Sequence, residues 1–303
     1  MTALLSYLIF PGLLFSAIAG LMACWVDRKV TARIQWRVGP PWHQNFTDLL
    51  KLSFKEIVLP RGAGAVFLLS PALGFLAAVL TATIVGNAFV APGQAFVGDI
   101  IVVLYLLIIP AAALIIGASA SGNPLAAVGA SREMKLVMSY ELPFILSIVA
   151  MVVRCGGELR LGEIITRQVN FGSNIVSWSG ALAFIAAFLC VQAKLGLAPF
   201  DMSEAEQEIM GGVLIEYSGF PLAVFRLTRA ILVYTLPLFL ISLFWAGNTG
   251  VLVILGKYIV LLVLIILIKN TNPRLRIDQA MRFFWGPVAL LAVASLVLAL
   301  LGK

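Results

Sequence analysis

Long apolar segments alternate with short polar ones along almost the whole chain. Each apolar segment has about 18 or more residues, which as a helix is enough to cross a hydrocarbon layer of about 30 Å. The pattern therefore predicts an all-α integral membrane protein that forms a single polytopic domain over residues 1–303. Its eight predicted transmembrane helices cover residues 3–26, 66–88, 99–118, 134–153, 177–197, 220–245, 251–269 and 284–301.

The long polar segment after the first predicted span contains one stretch with a different periodicity. Between Asn45 and Val58 the apolar residues fall on one side of a helix, whereas Asp48, Lys51 and Lys55 occupy much of the remainder. Fourteen residues are too few to span a membrane. The stretch therefore predicts an amphipathic helix that lies at the membrane interface.

Residues 198–219, which we call the acidic segment, concentrate carboxylates between the fifth and sixth predicted spans. Lys194 is the only basic residue near this segment in the sequence. Ser203 and Glu206 have the spacing of a capping box, which predicts a short helix that begins near Ser203 and carries Glu204 and Glu208 on one face. The five acidic residues are Asp201, Glu204, Glu206, Glu208 and Glu216.

Carboxylates beside lipid must be hydrated, protonated or paired, because burying an isolated charge is costly. One interpretation of the acidic segment is a solvated loop that docks a basic partner. The other is a path for protons or other ions. The sequence Glu216-Tyr217 leads directly into the sixth span, which supports the second interpretation enough that both stay open.

Glu141 is a carboxylate within the fourth predicted span. It lies about ten residues from Arg132, which corresponds to roughly 15 Å of helix and places it near the middle of the membrane. Arg226 and Arg229 share one face of the sixth span, so they are the predicted counter-charges of Glu141 and Glu216. Both a structural ion pair and a proton or ion path explain Glu141.

Composition agrees with a membrane protein and mainly affects how the net charge is interpreted. Hydrophobic residues make up 61% of the chain and charged residues 12%, with a mean hydropathy of +1.05 and a formal net charge of +7. Fourteen of the 21 lysines and arginines lie in or beside the loops that follow spans 1, 3, 5 and 7. The positive-inside rule then places both termini outside and the acidic segment in the cytoplasm. The positive charge therefore reflects topology, and we expect no binding of nucleic acid.

A basic segment follows the first predicted span. Its position makes it a topology signal that contacts anionic lipid headgroups. It also faces the same side as the acidic segment, so it is a candidate contact for that segment or for a partner protein. The residues concerned are Asp27, Arg28, Arg33 and Arg37.

The chain offers few ligands for a metal or a redox cofactor. Cys24, Cys155 and Cys190 are far apart, and His43 is the only histidine. An iron–sulfur cluster or a haem needs several such ligands at suitable spacing. We therefore expect no metal and no cofactor on this chain, and any redox centre would belong to other subunits.

Four stretches resemble a known family of membrane subunits. They are similar to the first loop, the fourth-span motif, the acidic loop and the segment before the last span of respiratory complex I subunit 1, also called the H subunit. In chain order they read DRKVTARIQWRVGP, SREMKLVMSYELP, APFDMSEAEQEIMGGVLIEYSG and RIDQAMRFFW. The resemblance implies the eight-span fold of that family.

Departures from the family pattern indicate a branch. Residues 197–201 read LAPFD, where quinone-reducing complexes typically have Arg-Pro-Pro-Phe-Asp. The AEQEIMGG form of the acidic segment and the ending NTNPRLRIDQAMRFFW are more similar to the homologous subunit of energy-converting nickel–iron (NiFe) hydrogenases of the formate-hydrogenlyase type.

This resemblance implies a membrane-anchoring and coupling subunit, not catalytic alone, in the plasma membrane of a prokaryote. Such a subunit links electron transfer in a peripheral arm to translocation of protons or sodium. The implied partners are a hydrogenase-like large subunit and an iron–sulfur small subunit, which hold the NiFe centre and the iron–sulfur clusters, together with antiporter-like membrane subunits. Arg33 and Arg37 match family positions at the junction with the arm. The matched positions on the ion path are Glu141, Asp201, Glu204, Glu206, Glu208 and Glu216.

Two other functions are compatible with the chain. A complex I-type NADH or ferredoxin:quinone oxidoreductase would use this subunit to form a quinone site. An autonomous ion transporter would need only the spans and their internal charges, but the sequence shows no internal repeat of the kind that many transporters have.

Overall fold

The protein is helical throughout the part described by a computed structural model, which covers residues 6–60, 62 and 64–302 without the side chains of Gln94 and Glu206. No strand occurs among these residues. In chain order the helices are α1 (Leu13–Ile34), α2 (Gln44–Ser53), α3 (Ala65–Val90), α4 (Asp99–Ala120), α5 (Pro124–Arg154), α6 (Leu161–Phe171), α7 (Trp178–Lys194), α8 (Glu206–Ile209), α9 (Gly219–Phe244), α10 (Val251–Thr271) and α11 (Ile277–Leu300).

Seven helical segments of the described part are long and apolar enough to cross a membrane. The first is Ser6–Ile34, and the others are α3, α4, α5, α9, α10 and α11. The fifth predicted span corresponds to α7, whose 17 residues lie at the lower end of the length range for a spanning helix. The all-α membrane class is therefore confirmed, whereas the count of eight spans stays a prediction.

Two helices extend beyond their predicted boundaries. The first helix continues to Ile34, so the basic segment begins on its last turns and not in a loop. Helix α5 begins at Pro124, ten residues before the predicted start at 134. Asn123 caps it by accepting a hydrogen bond from the Leu125 backbone N–H at 2.8 Å, and proline at the first helical position needs no such partner. The hydropathy pattern therefore predicts where the apolar part of α5 begins, and not where the helix itself begins.

The predicted amphipathic helix is present as α2, but it ends at Ser53 and not at Val58. The residues that follow run along the start of α9, where the Val58 backbone N–H donates to Ser218 Oγ at 2.9 Å. At its other end, the Asn45 side chain donates to the Leu21 carbonyl of α1 at 3.0 Å. These contacts hold α2 across the ends of α1 and α9.

Helix α9 is the centre of the bundle. In its most apolar window 83% of the residues are buried, against 28% for α10 and for α11. It packs against α1, α3, α7 and α10. Of the two charged residues on α9, Arg229 is partly buried by other parts of the chain, whereas Arg226 is exposed.

Lys257 of α10 is held at the carboxyl end of α9. Its Nζ donates to the carbonyls of Trp245 at 2.6 Å and of Asn248 at 3.0 Å. A lysine at the end of a helix satisfies carbonyls that have no partner within the helix. Lys257 thus joins the outer helix α10 to the central one.

Gly20 gives a test of how closely α1 and α9 pack. A β-carbon at this position would lie 2.2 Å from the Ala230 carbonyl oxygen of α9. Gly20→Ala therefore forces the two backbones apart, and we expect it to destabilise the purified protein by about 1–3 kcal/mol.

Gly256→Ala on α10 is the matched control, because nothing from elsewhere in the chain lies within 4 Å of the added methyl group. Alanine also favours helix over glycine by about 1 kcal/mol. Thermal unfolding in detergent should show a lower midpoint for the first variant and an unchanged or higher midpoint for the second. Equal midpoints would contradict the close contact.

Candidate functional site

A cavity of about 500 Å³ lies between α4, α5, α9, the end of α7 and the acidic segment. Much of its wall is apolar, formed by residues such as Leu114, Leu214 and Phe225. The charged side chains that line it come from four different elements and are Glu133, Lys194, Glu204, Arg226 and Arg229. Two carboxylates and three cations therefore line one partly open cavity beside the acidic segment.

Arg229 ties the acidic segment to the end of α7. Its Nη1 lies 2.7 Å and 3.0 Å from the two carboxylate oxygens of Glu204. The same guanidinium donates to the Leu195 carbonyl at 3.2 Å and to the Gly196 carbonyl. The prediction that Arg229 compensates Glu141 or Glu216 is therefore wrong, because its donors are already directed at Glu204 and at the backbone after α7.

Glu141 is compensated by Lys194. The Nζ of Lys194 lies 2.7 Å from Glu141 Oε2, and the Lys194 side chain is only 3% exposed. Glu141 stands seventeen residues after the start of α5, about 25 Å along the helix, so it lies near the middle of α5, and its depth near the middle of the membrane stays a prediction. Its predicted partners, Arg226 and Arg229, are wrong because Lys194 occupies the space between α5 and α7.

Glu216 binds at the start of α5 and not to an arginine. The Asn123 side chain donates to Glu216 Oε1, while its own oxygen caps α5. A carboxylate near a helix N-terminus interacts favourably with the helix dipole. The predicted pairing of Glu216 with Arg226 or Arg229 is therefore corrected, although Glu216 still lies where the acidic segment approaches the sixth predicted span.

Asp201 and Glu208, two further carboxylates of the acidic segment, pair with arginines and are not among the residues that line the cavity. Asp201 pairs at 2.7 Å with Arg274, which lies between α10 and α11. Glu208 pairs with Arg132 at 2.6 Å on the exposed surface. The predicted site residue Glu206 has a side chain outside the described part of the chain.

The local fold of the acidic segment also differs from the prediction. Helix α8 begins at Glu206 after Ala205, so Ser203 is not its cap and Glu204 precedes the helix. Instead the Ser203 carbonyl accepts a hydrogen bond from the Val213 backbone N–H at 3.3 Å, which closes the segment into a compact turn. Met210 has a φ of +53° at this turn, a left-handed conformation that is unusual for a residue with a side chain.

Tyr217 fixes the end of the acidic segment against α3. Its ring stacks on Phe67 with centroids 4.1 Å apart, and its hydroxyl lies 3.0 Å from Ser70 Oγ. Burial raises the pKa of the Tyr217 hydroxyl above its ordinary value. The phenol therefore remains a neutral hydrogen-bonding group, and it holds the segment in place without adding charge.

Glu133 is the cavity residue that sequence reasoning missed. It is 6% exposed, lines the cavity and lies beside the Ser203 hydroxyl. The predicted fourth span begins at residue 134, so the hydropathy pattern groups Glu133 with Arg132 in a polar helix end. Asn123-Pro124, a strong helix start, is the signal that would have placed Glu133 inside the helix.

The basic segment contains two kinds of residue. Some form ion pairs or hydrogen bonds with other described residues, and the others are exposed. Asp27 pairs with Lys269 at 2.7 Å, and Arg28 donates to Asn45 at 2.6 Å and lies 3.3 Å from Asp48. Arg33 and Arg37 are exposed. Their predicted role as contacts for a partner stays a prediction.

Metal ligands do not cluster in the structure as described. No group of three or more His, Cys, Asp or Glu side chains within residues 6–60, 62 and 64–302 is arranged to hold a metal ion. The acidic segment accordingly uses its carboxylates on arginines and on helix ends. What the site can do chemically is hold and move protons between carboxylates and cations.

Known proteins match this chain over almost its whole length. The family model described as NADH dehydrogenase matches residues 7–300. The H subunit of the NADH-quinone oxidoreductase of Thermomicrobium roseum is 34% identical over 323 residues, which cover 96% of this chain and 94% of that protein. The corresponding protein of Dehalococcoides mccartyi is 31% identical, with 94% and 82% covered. A chain of the membrane-bound sulfane sulfur reductase, an archaeal respiratory membrane complex, superposes with a TM-score of 0.89 at 29% identity and covers 99% of this chain and 100% of its own length.

Gly129 of α5 provides a test of how the acidic segment is seated. A β-carbon there would lie 2.8 Å from the Val213 backbone nitrogen and 2.9 Å from the Ser203 carbonyl oxygen. Gly129→Ala should push the segment away from α5 and expose its amides. Hydrogen exchange followed by mass spectrometry should then be faster over residues 203–213. The control Gly256→Ala should leave exchange in that range unchanged, and unchanged exchange in both variants would contradict the contact.

Proposed function

The chain belongs to the NADH dehydrogenase family of membrane subunits, which includes the H subunit of complex I, and from this premise we propose a specific coupling role. It is a membrane subunit of a complex I-type oxidoreductase complex. Within such a complex it would anchor a NiFe hydrogenase module and link electron transfer in the peripheral arm to translocation of protons or sodium. The chain would not be catalytic alone.

One observation carries this proposal: a charged cavity beside the acidic segment leads to a carboxylate in the middle of a membrane helix. Glu133 and Glu204 line the cavity, Lys194 closes one side of it, and Glu141 lies 2.7 Å behind Lys194. Buried ionisable groups cost free energy, so structural stability does not require a row of them. Such a row suits the movement of protons from the cavity into the membrane interior.

The coupling would begin with a change of charge in the arm. A redox event there alters the electric field at the acidic segment, whose carboxylates are held by separate partners, Arg229 for Glu204 and Asn123 for Glu216. Protons then redistribute among these carboxylates, Glu133 and Glu141. Two arrangements of different charge would bias the neighbouring antiporter-like subunits toward different states.

The arm would dock on the exposed part of the basic segment. Arg33 and Arg37 are exposed and lie at or just beyond the end of α1, next to Trp36, which is 98% exposed. Arginine and tryptophan are common at protein interfaces. The implied large and small subunits would bring the NiFe centre and the iron–sulfur clusters to this end of the molecule, and α2 would rest on the lipid surface.

The second candidate is a quinone-reducing complex I-type enzyme, and two observations favour it. The relatives from Thermomicrobium roseum and Dehalococcoides mccartyi are both subunits of NADH-quinone oxidoreductases. The cavity also has an apolar wall of the kind that small-molecule sites have. Against it, the LAPFD start of the acidic segment departs from the quinone-enzyme pattern, and the chain also resembles a subunit of a complex named for reducing sulfane sulfur.

Metal and quinone analysis of the native complex separates the two candidates. For the hydrogenase-type complex we expect nickel and iron in the purified assembly and no stoichiometric quinone. Elemental analysis and organic extraction of the same preparation measure all three. Quinone without nickel would support the second candidate instead, and ion transport by this chain alone in liposomes would contradict both.

Glu141→Gln tests the ion path directly. Glutamine keeps the shape of the side chain but cannot accept and release a proton, so we expect gradient formation in membrane vesicles to fall to background. Hydrogen oxidation with an artificial dye, which reports only on the arm, should persist because assembly is kept. Glu163→Gln is the matched control, since Glu163 is exposed on α6 at the opposite end of the bundle. A normal gradient in the Glu141 variant would show that this carboxylate is only structural.

A further inference from the structure

We propose that Lys194 is a proton-relay residue that carries protons between the cavity and Glu141. This inference rests on the proposed function, in which Glu141 belongs to the ion path, and it concerns how Glu141 exchanges its proton. A lysine was not predicted on the path, and its position in the structure is what assigns it this role.

The geometry makes Lys194 the link between two compartments. Of the two paired residues, only Lys194 lines the cavity, together with Glu133 and Glu204. Its Nζ lies 2.7 Å from Glu141 Oε2, which is within the range for direct proton transfer along a hydrogen bond. A proton that enters the cavity therefore meets Lys194 before it meets Glu141.

Two aromatic rings keep the amine in this position. Nζ lies 5.0 Å from the ring centroid of Tyr140 and 4.9 Å from that of Phe144, the residues one before and three after Glu141. Rings at this distance attract the ammonium ion and exclude water around it. The Lys194 side chain is only 3% exposed, so it does not extend into the solvent, and the bond to Glu141 is maintained.

The charge balance of the pair permits the transfer. Lys194 and Glu141 have zero net charge both as ammonium with carboxylate and as amine with carboxylic acid. Moving one proton from Nζ to Oε2 therefore leaves no uncompensated charge in the apolar interior, which is the costly outcome. The neutral amine then takes a proton through water in the cavity from the carboxylic acid form of Glu133 or Glu204, both of which line the same cavity. The donor becomes a carboxylate, and Lys194 is an ammonium ion again.

Glu141 has an atom with which to pass the proton on. Its Oε1 is buried and has no hydrogen-bond partner among the described residues. A protonated carboxyl group can donate from either oxygen. After rotation of the carboxylic acid group, the proton received on the Oε2 side can therefore be released on the Oε1 side to a water molecule within the bundle.

Lys194→Arg distinguishes a relay from a fixed counter-charge. Arginine keeps the positive charge but does not release its proton in proteins. In vesicles that carry the whole complex, we expect the number of ions moved per hydrogen oxidised to fall by about tenfold or more. A ratio equal to that of the natural complex would overturn the relay. Lys51→Arg, on the exposed face of α2, is the matched control and should keep the ratio.

A second variant keeps the test valid if arginine does not fit between the rings. Lys194→Ala opens space at the cavity wall, where small primary amines can enter. Methylamine and ethylamine should restore part of the ratio, and the restoration should follow the basicity of the amine, as proton transfer requires. Equal restoration by guanidinium, or restoration by none of these compounds, would overturn the relay.

Glu141→Gln measured in parallel distinguishes the ion path through Glu141 from the relay through Lys194. If the Glu141 variant keeps its ratio, Glu141 is only structural, and both the proposed ion path through it and the relay fail. If it loses the ratio while Lys194→Arg keeps it, the path through Glu141 stands and only the relay fails. Loss in both variants, with amine rescue of Lys194→Ala, supports both.

Discussion

The structure depends on one constraint, which is that charge placed inside an apolar bundle must be compensated there. Lys194 and Arg229 provide this compensation for Glu141 and Glu204. Each cation is held on a different element from its carboxylate, so the pairs also fix how α5, α7, α9 and the acidic segment meet. The Lys194 and Glu141 side chains are only 3% and 14% exposed, so removing one of them leaves a buried charge, which costs far more than an exposed pair contributes. The pair of Arg229 and Glu204 is about one-third exposed and is better screened by solvent.

Much of this architecture can be predicted from the sequence because hydropathy determines which segments enter a membrane. The ends of α3, α4, α9 and α10 lie within about two residues of their predicted positions. The start of α5 is missed because its first ten residues are partly polar, and that error conceals Glu133. The pairings are harder to predict, since Lys194 and Glu141 are 53 residues apart and the choice of partner depends on how two helices face each other. No local pattern contains that information.

Membership of the family explains the fold of this chain, whereas its specific function depends on the charged site. A fold shared between a quinone oxidoreductase subunit and a subunit of a sulfane sulfur reductase complex does not select a substrate. What this chain adds is its own arrangement of charges, with a lysine where the cavity meets the membrane interior. The acidic segment, which has few bases near it in the sequence, is held by side chains from four other parts of the chain. The position of the acidic segment therefore depends on the positions of several helices.

Arg229 gives this arrangement a mechanical consequence. Its guanidinium binds Glu204 in the acidic segment and the carbonyls of Leu195 and Gly196 directly after Lys194. The acidic segment and the end of α7 are thus both bonded to one side chain of α9. The backbone beside Lys194, and with it the hydrogen bond to Glu141, is thus connected to the surface of the molecule through a single guanidinium group.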